Sequence, residues 1–202
     1  MQEKTYTELY NLIVALAGVG NFTATEQVYI TAFVNRRAYE AYQLSASWPR
    51  FLTVGEARTV VSPQTIEYTE SGLNTIGQFL RIHDAQPFLR NSANEFEFYV
   101  DSTGAHILNL TTTDTTTAYV TYKAEFTPYT SASTDFPFEF FQYTAHAAYA
   151  DFLRMDGQHE KAFAEESVGR EYLQIELEKI DNISNNNTIT RRFSTHLSRQ
   201  SR

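Results

Sequence analysis

The chain has no cysteine, so disulfides, cysteine-ligated zinc and thiol catalysis are excluded from the outset. Tryptophan occurs once, methionine twice and proline five times in 202 residues. No apolar run approaches the ~18 residues that cross a bilayer, and the opening MQEKTYTELYNL lacks a basic stretch followed by an apolar core. Secretion and membrane insertion are therefore not expected. Basic residues are also scarce: 16 Lys and Arg against 24 Asp and Glu give a net charge of −8, which argues against a general nucleic-acid binder. Aromatic residues are what the chain has in excess, with 15 Phe and 13 Tyr. Such side chains bury large areas at low entropic cost and serve interfaces as well as cores.

The charge is unevenly placed. Residues 184–202 carry Arg191, Arg192, Arg199 and Arg202 and no acid; subtracting their +4 from −8 leaves −12 for residues 1–183. A basic end on an acidic body is suited to docking on something acidic, such as a neighbouring copy.

Hydrophobic periodicity divides the chain. Residues 4–18 read as a helix with Tyr6, Leu9, Tyr10, Ile13 and Leu16 on one side, ended by Gly18 and Gly20. Thr23 and Glu26 have capping-box spacing ahead of a second helix, about Ala24 to Leu44, whose Arg36, Arg37 and Glu40 fall on its polar side. Trp48-Pro49 closes it, since a residue before proline leaves helical geometry. Trp48 reads as a hinge residue packed at a boundary, with ligand stacking the less favoured role. From Phe51 to Phe126 the period becomes extended, giving five to seven short antiparallel strands, with a turn at Asp101-Ser-Thr-Gly104 and a polar loop tip at Thr111–Thr117. A Pro/Ser/Thr linker (127–134) leads to two helices, Asp135 to Asp156 and Gln158 to Ile183, reversed at Gly157. Asp135 is the expected cap of the first, with Pro137 in its first turn. Small residues at Ala147, Ala148, Ala162, Ala164 and Gly169 allow these helices to approach closely, and Glu166 alone interrupts the stripe Ala162, Gly169, Leu173, Leu177, Ile180.

The expected fold is α+β. A four-helix bundle of two N-terminal and two C-terminal helices (1–48 and 129–183) carries an inserted antiparallel β module (49–128) and an extended C-terminal tail (184–202). The tail is too polar to bury a core of its own and is expected to order on binding.

Signals for chemistry are weak. His83, His106, His146, His159 and His196 have no ligand spacing, and His159-Glu160 is not followed by a second histidine as the zinc-protease motif requires. Gly18-Val-Gly20 leads into a capped helix without the lysine of a phosphate loop. The single Asp-Ser-Thr-Gly reads as a hairpin turn, and no GxSxG elbow is present. Glu165, Glu166, Glu176 and Glu178 read as a solvated helix face, and His146 as a packed or interface histidine. These residues give no enzyme: no catalytic, cofactor or metal residue is assigned.

The order of parts resembles the head-to-tail adaptors of short-tailed phages, also called head–tail connectors or tail tubular proteins A. The resemblance rests on TYTELYNLI at the start, SWPRF at the crossing into the β module, and YKAEFTPYTSASTDFPFEFFQYTAHAAYADFLRMDGQHEKAFAEESVGREYL. The last stretch matches that family's Tyr-rich strand, Pro-containing linker, PFEF helix start and DFLRMDGQ–EKA helix turn; sequence-level likeness is confined to residues 119–181. The resemblance implies a virion protein of the podovirus tail, assembled in the host cytoplasm as a homododecameric ring between portal and tail nozzle. Such a ring extends the channel for genome retention and ejection, and double-stranded DNA passes through it without sequence-specific binding. It further implies that Arg191, Arg192, Phe193, Leu197, Arg199 and Arg202 form a portal-docking tail. The loop Thr111, Thr112, Thr113, Asp114, Thr115, Thr116 and Thr117, with residues near Ser71–Gly72, would face the nozzle. The competing reading is a receptor- or carbohydrate-binding β module on a helical oligomerisation stalk, with Trp48, Tyr68 and Tyr99 lining its site. A third, a cell-wall hydrolase, requires a carboxylate pair in a cleft that the sequence does not offer.

Overall fold

The computed structural model describes residues 3–61, 63–88, 93–108 and 117–200, with side chains of the last helix described through Ile180. Among the described residues it is a mixed α+β protein with four helices, two three-stranded antiparallel sheets and one two-residue ladder. The chain divides into two compact units: one built from its two ends, residues 1–45 and 128–202, the other from residues 46–127.

In the first unit, α1 (Tyr6–Ala17) starts at a capping box of Thr5 and Glu8 and ends on Gly18 with φ 66°. α2 (Ala24–Leu44) starts at the Thr23–Glu26 box, in which the Thr23 hydroxyl accepts from the Glu26 N–H and the Glu26 carboxylate accepts from the Thr23 N–H at 2.7 Å. Each box satisfies two amide donors that a helix start otherwise leaves unpaired. Thr23→Ala is therefore expected to cost about 1 kcal/mol of stability and Thr23→Gly only a few tenths, read by urea denaturation. No loss in either variant would show that the hydroxyl contributes nothing.

α3 (Phe138–Met155) departs from expectation at its start. Its N-cap is Pro137, with no side-chain cap, and Asp135 does not cap it. Phe136–Pro137 (β8) instead pairs with Glu3–Lys4 (β1) in a two-residue antiparallel ladder, and the Tyr6 N–H donates to the Ser133 carbonyl at 3.0 Å. This ties the chain's beginning to the approach to α3, and local sequence gave no sign of it.

α3 packs on α1, α2 and α4 (His159–Gln200), and it is buried on nearly all sides: Phe140, Phe141, Tyr143, Thr144, Ala145, Ala147, Ala148, Ala150, Asp151 and Leu153 are enclosed. It ends as expected at Gly157, φ 78°, where Gly157 N–H donates to Arg154 and Gln158 N–H to Leu153. α4 then runs back along it. An added Cβ on Gly169 would lie 3.3 Å from the His146 Cβ and from the Tyr143 carbonyl oxygen, so the two helices do approach closely through small residues.

The tail does not follow expectation. Residues 184–200, read as extended, continue α4 as helix, making it 42 residues long. The stretch is polar but holds no Gly or Pro, so nothing in it forces the helix to stop.

The second unit holds β2 (Leu52–Thr59), β3 (Thr65–Glu67), β4 (Ile76–His83), β5 (Phe98–Val100), β6 (Gly104–Ile107) and β7 (Thr117–Ala124). One sheet has the order β2-β7-β4, the other β3-β6-β5, all antiparallel. Ile76, Phe79, Ile82, Ala118, Val120 and Tyr122 from the first meet Ile66, Ala105 and Ile107 from the second in a single core. Trp48, in the same unit, is buried at 1% exposure.

Candidate functional site

The residues expected to dock or to face partners fall largely at the margins of the description. Arg191, Arg192, Phe193, Leu197 and Arg199 lie on the C-terminal part of α4; their side chains, and Arg202 entirely, are outside the described residues. Thr111 to Thr116 are likewise outside, and Thr117 is the first residue of β7, paired with Thr59. Of the aromatics considered for a saccharide, Trp48 is enclosed and Tyr68 packs on the core against Phe79 (centroids 5.4 Å apart). Only Tyr99 is open, 52% exposed and stacked on His106 at 4.7 Å.

Three polar clusters were not read from the sequence. The largest joins α2, α3 and α4. Arg37 on α2 is 8% exposed and grips Asp151 on α3 with two hydrogen bonds, Nε to Oδ2 at 2.7 Å and Nη2 to Oδ1 at 2.6 Å. Its remaining nitrogen, Nη1, reaches Glu40 at 2.8 Å and Glu166 on α4 at 3.5 Å. Arg36 also pairs with Asp151, Arg154 bridges Asp151 and Glu166, and Arg170 reaches Glu166 at 3.0 Å. Burial opposes ionisation of Asp151, but the Arg37 and Arg36 guanidiniums outweigh it and hold the carboxyl below its usual range. Glu166 is held low in the same way, by Arg154 first. Tyr143, whose hydroxyl donates to Glu40 at 3.1 Å, is pushed up to about 12, chiefly by burial and then by the Glu40 charge. Arg37 and Glu166 are thus neither a polar face nor a solvated face. A guanidinium with three acidic partners on three elements fixes the register of those helices.

The second cluster is within the β unit. Arg58, 1% exposed on β2, stacks on the Tyr122 ring (4.9 Å to the centroid), donates to the Tyr122 hydroxyl at 2.8 Å and the Asn74 carbonyl at 2.5 Å, and pairs with Glu56 at 2.7 Å. The register shift between Thr53 and Glu56 turns Arg58 inward, and strand alternation alone does not reveal it. On β7, Lys123 is 3% exposed and burial pushes its ammonium down to about 8.

The third cluster fastens the β5–β6 turn. Asp101 Oδ1 accepts from the Thr103 amide at 2.7 Å and the Thr103 hydroxyl at 2.6 Å; Asp101 Oδ2 lies 2.9 Å from His106 Nε2. His106 Nδ1 lies 2.9 Å from the Thr65 hydroxyl on β3. Bonds from Thr103, then the pairing with His106, drive the Asp101 carboxyl well below its ordinary range. The order hydroxyl–imidazole–carboxylate is that of a nucleophilic triad. Here, however, the hydroxyl belongs to Thr65, 5% exposed and also directed at the Pro63 carbonyl 3.3 Å away. The set therefore laces a hairpin to its neighbour rather than presenting a nucleophile, consistent with a turn at Asp101–Gly104.

Two shallow grooves accompany these clusters. One, about 170 Å³, is lined by Tyr6, Thr7, Tyr10, Gln27, Thr31 and Ser131; the other, about 300 Å³, by Thr59, Val61, Glu67, Thr69, Glu70 and Ser71. Neither contains the buried Arg37, Arg58 or Lys123. Among the described residues no three His, Asp or Glu side chains converge as metal ligands, and no helix is long and apolar enough to cross a membrane.

No protein-family model matches the chain, and no curated protein matches it either.

Proposed function

We propose that this chain is a virion structural protein, a head-to-tail adaptor that forms a ring of twelve copies between portal and tail nozzle and extends the DNA channel. In this reading the four helices make one bundle, the β unit is inserted into it, and the protein's work is assembly rather than catalysis. The observation that carries the reading is the length of α4: 42 residues, roughly 63 Å, against 18 residues and roughly 27 Å for α3. The register of the pair, with Leu153 near Ala162 and Tyr143 near Gly169, places the first turn of α3 beside residues near Leu173. The remainder of α4 extends beyond the reach of α3. After Asp181 it bears arginine and no acid, so it is a helical arm of charge opposite to the body.

An acidic body also suits a channel wall, because it repels the phosphate backbone and lets DNA slide. The buried polar clusters support a non-catalytic protein, since the Arg37 and His106 sets are closed onto partners of the fold itself.

The test is to mix the full chain with isolated portal and weigh the product. The expected result is an added mass of twelve copies. Absence of binding from low to physiological salt would overturn the reading. Replacing Arg191, Arg192 and Arg199 together by Gln keeps the helix-forming character and removes the charge; portal affinity is expected to fall at least tenfold with folding unchanged. Full affinity in that variant would remove the arm from the interface while leaving the adaptor assignment in place.

A further inference from the structure

The two helices of the C-terminal hairpin are held very unequally. α3 is enclosed on nearly every side, by ten buried residues including Phe140, Phe141, Tyr143 and Leu153. α4 lies against it over its first four turns or so, yet among its described residues only Ala162, Gly169 and Leu173 are buried. Glycine contributes no side chain and alanine one methyl group, so Leu173 is the one large apolar side chain among those buried residues. Several larger apolar side chains of α4 are open, with Phe163 71% exposed, Ile175 49% and Val168 38%; Tyr172, 42% exposed, stacks on His146 of α3 with ring centroids 5.7 Å apart. Beyond the Ala162 contact with Ala150 and Leu153 and the Tyr172 stack, what crosses from α4 to the rest of the unit is polar. Glu166 pairs with Arg154 of α3 and reaches Arg37 of α2 at 3.5 Å, and Glu165 meets His146 of α3 at 2.7 Å.

We infer that α4 is an electrostatically latched arm: it swings away from α3 as a unit and, without that packing, its helix melts, while α1, α2 and α3 stay folded, and Glu166 is the latch. The hinge is the three-residue reversal Asp156-Gly157-Gln158. Gly157 already occupies left-handed space and has no neighbour within 4 Å of the position a Cβ would take, so its torsions can change without collision. An element with few buried apolar contacts opens at lower free energy than the global transition and belongs to the low-stability end of a native structure. Asp151 keeps Arg37 and Arg36 when Glu166 leaves, so the α2–α3 pairing survives the opening. The inference concerns the hairpin itself and stands whether or not the protein is an adaptor.

Native-state hydrogen exchange on the full chain tests it. Amides of α4 near residues 163–173 are expected to exchange faster than those of α3 near residues 141–152, under conditions where α3 reports global unfolding. Glu166→Gln removes the charge and keeps the size. It is expected to speed the α4 amides on the order of 10- to 100-fold, through the weakened pairing with Arg154 and Arg37, and to leave the α3 amides within about threefold. Equal acceleration of both helices, or none in α4, would overturn the proposal. A second variant separates swinging from fraying within the helix. His146→Cys with Gly169→Cys places two Cβ positions about as close as a disulfide requires, in a chain with no other cysteine. Once oxidised, this protein is expected to lose the fast exchange around residue 169 and to recover it on reduction. Fast exchange there with the disulfide intact would show that α4 unravels in place rather than swinging.

Discussion

Asp151→Ala is expected to destabilise the helical unit by about 3–5 kcal/mol. The carboxylate is 5% exposed and receives two bonds from Arg37, with Arg36 and Arg154 pairing to the same group. Removing it leaves the Arg37 guanidinium buried with its main partner gone, and the desolvation cost already incurred is no longer offset. Replacing the pair, Arg37→Met with Asp151→Leu, removes both charges and is expected to recover most of the loss, because buried ion pairs contribute little beyond what packing supplies. Urea unfolding of the three proteins measures this. A loss under about 1 kcal/mol for Asp151→Ala would mean that water reaches Arg37 in the native state. The same pair sets an acid limit. The carboxyl is held below its unfolded value near 4, so its contribution is complete above that pH and is lost as pH falls through the lower, folded value. The Arg37→Met, Asp151→Leu protein is expected to lack that part of the acid sensitivity.

Gly104→Ala is expected to cost the β unit about 3 kcal/mol or more. Gly104 has φ 151°, and a Cβ there would lie 2.1 Å from the Ile66 carbonyl oxygen, in the β3–β6 ladder. The obstacle is backbone, so no rotamer change relieves it; the strand must separate or the turn must rearrange. Gly72→Ala is the control. Gly72 also has a positive φ, 83°, but open space around it, so only the backbone preference of about 1–2 kcal/mol is lost. Thermal unfolding of both variants, with amide exchange across residues 65–67 and 104–107, distinguishes the two. Equal losses would show that the close approach to Ile66 does not matter.

Element positions were legible wherever the determinant is local. α2 begins and ends where the capping box and periodicity place it, α1 stops at Gly18, and the hairpin reverses at Gly157, because a cap or a left-handed glycine needs only its neighbours in sequence. The extended period from Phe51 to Phe126 gave six short strands among the described residues, because alternation is also a local property. The start of α3 was not legible, because Phe136-Pro137 pairs with residues more than 130 positions earlier. Nor was the length of α4: polarity argued against a helix that no glycine or proline interrupts.

The polar clusters show the same division. Asp101-Ser-Thr-Gly104 was readable as a turn because Asp101 bonds two and three residues ahead, whereas its link to Thr65 through His106 spans 41 positions. Glu166 looked like a surface acid because a carboxylate beside Glu165 on a helix usually is one. Arg37 looked like part of a polar face. Whether such a charge is solvated or buried depends on what another element brings to it, and Asp151 lies 114 positions away in the chain. The sequence by itself determined the α2 cap, the turns at Gly18, Asp101–Gly104 and Gly157, the two secondary-structure periods and the charge contrast between the body and its basic end, all short-range properties. Tertiary structure alone decided which charges are enclosed, which strand ends pair, and that ion pairs and small residues join Leu173 and Tyr172 in holding α4 to α3. Desolvation and pairing are set by distances between elements, and those distances exist only once the chain has folded.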